Sequence, residues 1–261
     1  MKQEKGIISM NNILAIQQEI EGNKAGIRSQ AGTVIKNQNT GEVIYTPPQD
    51  PTEIKDLMQE LLEYINLDSG EHPLIKMALI HHQFESIHPF FDGNGRTGRI
   101  LNLLYLIQAK RLSLPVLYLS RFINHNKSEY YRLLQAVRNE SSWKEWVIYM
   151  LTGIAMTAAH TTDLINQIQD QFTAHKDKIR SNYKFYSHEL LNHIYAYPYT
   201  RISFFSEELN VGRPTATKYL NQLSSGGILT KVEKNNRFYY INHKLYDILT
   251  KTPSLKISNS Q

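Results

Sequence analysis

Apolar residues recur at intervals of three and four along most of this 261-residue chain, the spacing of helices that bury one face. NNILAIQQEIEG, from Asn11 to Gly22, sets Ile13, Ile16 and Ile20 on such a face and stops at a glycine. The pattern then changes. Val34 and Ile35 precede a turn-rich Asn37-Gln38-Asn39-Thr40-Gly41, and Val43, Ile44 and Tyr45 follow it. β-branched runs around such a turn predict a hairpin. Pro47, Pro48 and Pro51 end any strand. PTEIKDLMQELLEYIN then begins a helix whose apolar face is Ile54, Leu57, Met58, Leu61 and Leu62. Helices are predicted again from about Pro73 to Ser86 and from about Arg96. In the latter, RTGRILNLLYLIQAKR is apolar nearly all round, as a buried central helix is. SEYYRLLQAVR and SSWKEWVIYMLTGIAM continue the helical pattern.

These segments predict a mostly α domain over residues 1–155, with a single hairpin. Residues 156–182 predict a polar connecting helix. After it, HELLNHIYAYPYT, ISFFSEELN and VGRPTATKYLNQLSSGG predict three shorter helices, the third opening at Pro214 and closing on Gly226-Gly227. ILTKVEKNNRFYYIN follows as strand, Asn-Asn turn and strand. Three helices and a hairpin over residues 183–250 are the pattern of a winged helix-turn-helix. Residues 251–261 are expected to be a flexible tail.

Composition adds bounds rather than direction. The 41% apolar content supports a real core, and a formal charge of +5 favours an anionic partner only weakly. The chain has no cysteine, which excludes disulfides, thiolate metal sites and Cys nucleophiles. The first residues, MKQEKGIISMNN, lack the apolar run of a signal peptide, and no stretch has the length of a membrane span. A soluble cytoplasmic protein that contacts no membrane is expected.

The chemistry is concentrated in HPFFDGNGRTGR, His88 to Arg99. One predicted helix ends, a compact polar loop follows, and a buried helix begins. The start of that helix offers unpaired N–H groups and a positive dipole end, both suited to phosphate. Gly93 and Gly95 let the backbone approach a ligand, Asn94 can donate its amide between them, and Arg96 and Arg99 share one helix side as fork-shaped donors. Asp92 suits Mg²⁺ beside phosphates. His88 suits a general base for an attacking hydroxyl. Together they describe transfer from a nucleotide to a hydroxyl. Gly93, Gly95 and Gly98 also satisfy G-x-G-x-x-G, but a helical pattern precedes them where a dinucleotide fold needs a strand, and no G-K-[ST] follows for a Walker loop. A zinc site from His81, His82 and His88 fails because adjacent histidines face different ways on a helix.

The stretch matches without mismatch H-x-F-x-[D/E]-G-N-G-R-x-x-R, and so resembles the Fic domain. Gly26-Ile27-Arg28, the hairpin ending Tyr45-Thr46-Pro47-Pro48, Tyr130-Tyr131 and the Trp143…Trp146 helix look like further landmarks of that family, and the carboxy-terminal module resembles one of its bacterial subgroups. The resemblance implies a mainly α, Fic-type helical core with a β-hairpin flap, followed by a small winged-helix domain. It implies AMPylation, the transfer of AMP from Mg-ATP to a protein Ser, Thr or Tyr hydroxyl with release of pyrophosphate. His88 would be the base and Asp92 the Mg²⁺ ligand. Gly93, Asn94 and Gly95 would cradle the α-phosphate, Arg96 would bind the β-phosphate and Arg99 the γ-phosphate. Tyr130 and Tyr131 would lie near the base, although an aromatic pair on a helix is more often core packing. Val34 to Tyr45 would be a flap that a target protein joins as an added strand. Some relatives have, a little after the tyrosine pair, an Asn that contacts nucleotide; this chain has Arg138 there.

Many Fic proteins also carry an inhibitory helix, [S/T]-x-x-x-E-[G/N]. The nearest match, QQEIEGN, has Gln17 in place of Ser or Thr and lies only a short step before the flap, so the plainer expectation for Glu21 is an exposed acid before a capping glycine. A brake would then be missing, supplied by a separate partner protein, or upstream. In the carboxy-terminal module, Arg213, Thr215, Thr217 and Lys218 on the third helix, with Lys231, Lys234 and Arg237 on the wing, suit DNA, while Glu207, Glu208, Glu233 and Asp247 dilute the charge. A homodimer is a further partner considered. Two rival functions remain: a de-AMPylase or a transferase with another phosphoryl-containing donor, and a nucleotide-sensing DNA-binding regulator.

Overall fold

The computed structural model describes residues 6–36, 40–251 and 255–257. The chain divides into two compact units, residues 1–158 with 255–261, and residues 159–254. Helix α1 (Met10–Glu21) starts at Ser9, whose backbone and hydroxyl exchange hydrogen bonds with Asn12, and stops at Gly22 in the left-handed region. Strands β1 (Ile35–Lys36) and β2 (Val43–Tyr45) pair antiparallel. The predicted turn at Asn37 to Asn39 lies outside the described residues. Helix α2 (Pro51–Asn66) begins at Asp50, whose carboxylate accepts from Thr52 N–H (2.7 Å).

Helices α3 (Pro73–Ile87) and α4 (Asn94–Gln108) form the centre of the first unit, with α1 packed on α4 and α2 on α3. Gly98 lets the two central helices close, since a Cβ there would press on the Phe84 ring and the Glu85 carboxylate. α5 (Ser120–His125) and α6 (Lys127–Glu140) complete the wall with the start of α7 (Trp143–Asn182). Trp146 is fully buried there; its indole N–H donates to Ala78 O (2.8 Å) and its ring stacks on His81. α7 is one continuous helix, where the sequence reading divided residues 143–182 between the core and a connector. Gly153 does not break it, because the ring of Phe122 fills the space a side chain would need.

In the second unit, α8 (His188–Ala196), α9 (Ile202–Glu208) and α10 (Arg213–Ser225) surround a core that includes Leu190, Leu191, Phe205, Leu220 and Tyr240. β4 (Thr230–Lys234) and β5 (Arg237–Ile241) form a hairpin whose turn residues Asn235 and Asn236 both have positive φ, as a tight two-residue turn requires. Two elements of this unit went unread in the sequence, as did α5 in the first. β3 (Tyr199–Thr200) adds to β5, giving the order β3-β5-β4, and α11 (His243–Thr250) follows the sheet, capped by Asn242. No helix among the described residues is long and apolar enough to cross a membrane.

The expected flexible tail is corrected in part. Leu255 is buried in the core of the first unit. Its N–H donates to His125 Nδ1 (3.0 Å), while Asn126 donates to Leu255 O (2.7 Å) and accepts from Ile257 N–H (2.9 Å). These partners lie about half the chain away, so no local pattern could announce the docking.

Candidate active site

α3 ends at His88, which adopts φ 49°, ψ 59°, the left-handed conformation that turns the chain out of a helix. The loop that follows is closed by Asn94. Its side chain accepts from Phe90 N–H (2.9 Å) and donates to Phe90 O (2.8 Å), and both residues are buried. The Asn94 amide, offered by the sequence as a ligand donor, is instead tied at both its oxygen and its nitrogen to Phe90, while the residue lines the cavity. Gly93 has φ 82° and precedes α4 without any side-chain cap, so the first-turn amides are open to an anion. Asp92 is mostly exposed and accepts from the Gly93 N–H (2.7 Å).

A cavity of about 470 Å³ opens over this turn. The motif from His88 to Arg99 lines it, with Ile123, Asn124, Lys127, Tyr130 and Tyr131 opposite. Ile123, Asn124 and Lys127 were not singled out in the sequence, where they look like an ordinary interhelical loop. Tyr130 is buried, its hydroxyl 3.0 Å from His81 Nε2, whereas Tyr131 is 41% exposed and meets Tyr130 edge-on. Burial keeps the Tyr130 phenol well above its ordinary pKa, so it stays protonated. His81 and His82 serve the core: besides its contact with Tyr130, His81 reaches Asn102 (3.1 Å), and His82 sits 3.2 Å from Leu134 O.

Burial pushes the His88 imidazole down to about 4; the Glu85 backbone opposes this most, Arg28 and Arg138 add to it, and Asp92 opposes it too. The ring is therefore neutral near pH 7, the form that can accept a proton. Glu85, one turn before it, is buried with Oε1 lacking a hydrogen-bond partner among the described residues. Burial raises its carboxyl to about 7, against the pull of Arg99 and Arg138. Arg138 does not face the cavity. Its guanidinium lies 3.7 Å over the Tyr45 ring and donates to Ser86 Oγ (3.1 Å).

Glu21 corrects the expectation of an exposed acid. Its side chain is only 12% exposed and pairs with Arg96 Nη2 at 2.6 Å. A side chain at Gly93 would strike the same carboxylate. The end of α1 thus delivers a carboxylate to the open start of α4, where an anionic ligand is expected. It meets the first arginine of the motif rather than the last.

For a metal, the donor set is a single exposed carboxylate, Asp92; no cluster of three or more His or acidic side chains suited to a metal occurs among the described residues. That set fits a hard ion such as Mg²⁺, which keeps water and takes phosphate oxygens as its other ligands.

A model of the Fic/DOC family matches residues 7–106, and one described as "Protein adenylyltransferase SoFic-like, C-terminal domain" matches residues 171–245. The "Protein adenylyltransferase Fic" of Drosophila ananassae is 29% identical over 174 residues, 63% of this chain and 32% of that protein. The protein of the same name from Drosophila grimshawi is 31% identical over 105 residues, 40% of this chain and 20% of that one. The chain thus spans a third or less of the length of these relatives. Among solved structures, a Fic family protein from Desulfovibrio desulfuricans G20 superposes with a TM-score of 0.53 at 22% identity, covering 89% of this chain and 68% of that one; it shares the fold.

Proposed function

Because this chain joins a Fic domain to a SoFic-like C-terminal domain, we propose that it transfers AMP from ATP to a hydroxyl of a protein. One observation carries the reading. A neutral imidazole, an exposed carboxylate, an uncapped helix start and two arginines converge on a single cavity. The α4 amides and Arg96 and Arg99 hold the phosphates. Asp92 would hold Mg²⁺, which when bound neutralises polyphosphate charge. His88 takes the proton of the acceptor hydroxyl as its oxygen bonds to the α-phosphorus and the bond to pyrophosphate breaks. The names of the relatives support transfer of an adenylyl group in general.

The hairpin is the proposed seat of the target. Val34, Val43 and Ile44 are exposed there, apolar positions that a partner strand would cover. For the second unit we propose a winged helix that contacts DNA, supported by exposed Arg213 and Lys218 on α10 beside Lys231, which is tied to Asn221 (3.2 Å). Retention of the full chain on duplex DNA that falls with salt tests this, and no retention at low salt refutes it.

The deciding experiment incubates the protein with Mg²⁺ and ATP labelled at the α-phosphate, with and without cell lysate, beside a His88→Ala control. Label on a protein band that disappears in the control is the expected result. Label arriving instead from γ-labelled ATP would refute AMP transfer in favour of another phosphoryl transfer.

A further inference from the structure

A helix leaves the carbonyls of its last turn without partners inside the helix. In α3 these belong to Glu85, Ser86, Ile87 and His88, because the His88 N–H already returns to Phe84 O (3.0 Å). Each is taken by a side chain from elsewhere. Arg138 Nη2 donates to Glu85 O (3.3 Å), and the Tyr45 hydroxyl donates to Ser86 O (2.9 Å). Arg28 donates through Nη2 to Ile87 O (3.4 Å) and through Nε to His88 O (2.9 Å). Its backbone N–H adds Pro89 O (2.9 Å), and Nη2 also donates to Pro48 O, just past the hairpin.

Arg28 is 0% exposed. Nε and Nη2 of this withdrawn guanidinium are used, while Nη1 has no hydrogen-bond partner among the described residues; a helix carboxyl end is a favourable place for the charge. Nε and Nη2 together join the stretch of backbone that carries His88 to Pro48 O beside the hairpin. We propose that Arg28 is a positioning residue for His88. With Tyr45 and Arg138 it fixes the backbone of the base to the hairpin, so that a polypeptide seated on the strands and the imidazole that must reach its hydroxyl share one frame. The inference rests on the transfer reaction and hairpin docking proposed above. A general base must lie within hydrogen-bond reach of its proton, so small displacements matter. Lysine would keep the charge and lose the fork that serves three carbonyls together.

The test compares Arg28→Lys and Tyr45→Phe with the wild type and His88→Ala, all as full chains. The first assay follows the rate of label transfer from α-labelled ATP against ATP concentration, with whichever protein the wild type labels as acceptor. The second records the imidazole ¹⁵N signals, with those of His88 identified by their loss in His88→Ala; it needs no reaction. Arg28→Lys is expected to lower kcat on the order of 10- to 100-fold, with KM for ATP within about twofold, and to move the His88 signals. Tyr45→Phe should do the same to a smaller degree. Unmoved signals and unchanged kcat in both variants would overturn the proposal. So would a raised KM for ATP with the signals in place, which would assign Arg28 to nucleotide binding. If Arg28→Lys does not fold, Tyr45→Phe decides, since it removes one hydroxyl. If the wild type labels nothing in a His88-dependent way, the transfer reading fails on its own, and the ¹⁵N signals still decide whether Arg28 and Tyr45 hold the ring.

Discussion

Glu85→Gln removes one proton-binding site from the interior of the first unit and should flatten the pH dependence of its stability. The wild-type carboxyl is buried, and its pKa rises from 4.5 to about 7 chiefly through that burial. Raised above its unfolded value, the group binds its proton more tightly in the native state. Its contribution is fully present below about pH 4.5 and is lost as pH rises through 7. A gap of roughly two and a half units at 1.36 kcal/mol each caps the effect at about 3 kcal/mol. From pH 5 to pH 8 the wild type should therefore lose about 2–3 kcal/mol relative to Glu85→Gln, which keeps the shape and never ionises. Urea unfolding followed by tryptophan fluorescence isolates the relevant unit, because Trp143 and Trp146 are the chain's two tryptophans and both lie in it. Equal pH slopes for the two proteins would refute the reasoning.

In Glu85→Gln, which lacks the carboxyl that titrates near 7, the proposed base His88 is neutral above about pH 4, so kcat/KM for transfer should be level from pH 6 to 8 and fall on the acid side as pH drops through about 4; a limb centred near 6.5 would contradict the burial argument. Glu21→Ala should release Arg96 for an incoming phosphate. A partly exposed ion pair is worth up to about 1 kcal/mol, so calorimetry should show a non-hydrolysable ATP analogue binding up to about fivefold tighter, and an unchanged Kd would mean that the pair does not compete. Asn94→Ala forfeits both bonds to Phe90 and should cost about 2 kcal/mol in urea unfolding; no loss would mean that the loop is closed by other contacts.

The longer helices and both hairpins were legible because each is written locally, in apolar spacing, capping residues and turn chemistry, whereas the short α5 and α11 were not. The motif was legible for a related reason: base, acid, glycines and arginines follow one another in a single loop and helix start. Residues that act through distant contacts were not. Glu21 stands in a polar run that looks solvated, and only the meeting of the ends of α1 and α4 turns it inward. Glu85 and Arg138 carry charges that composition assigns to the surface, yet both point into the packing around α3. Arg28 was visible as a family landmark, but its work depends on carbonyls sixty positions away. β3 escaped because two residues have no period to detect.

The left-handed backbone at His88 bears on which residues can stand there at all. Among residues with side chains, histidine, asparagine and aspartate accept that conformation most readily, while β-branched residues are excluded and alanine gains nothing from it. One position therefore ends a helix and, in the proposed reaction, supplies the base, and the two duties narrow the allowed residues from different sides. An inactive variant that keeps the turn would be His88→Asn, and comparing it with His88→Ala would separate the loss of a proton acceptor from the loosening of the corner on which that acceptor is mounted.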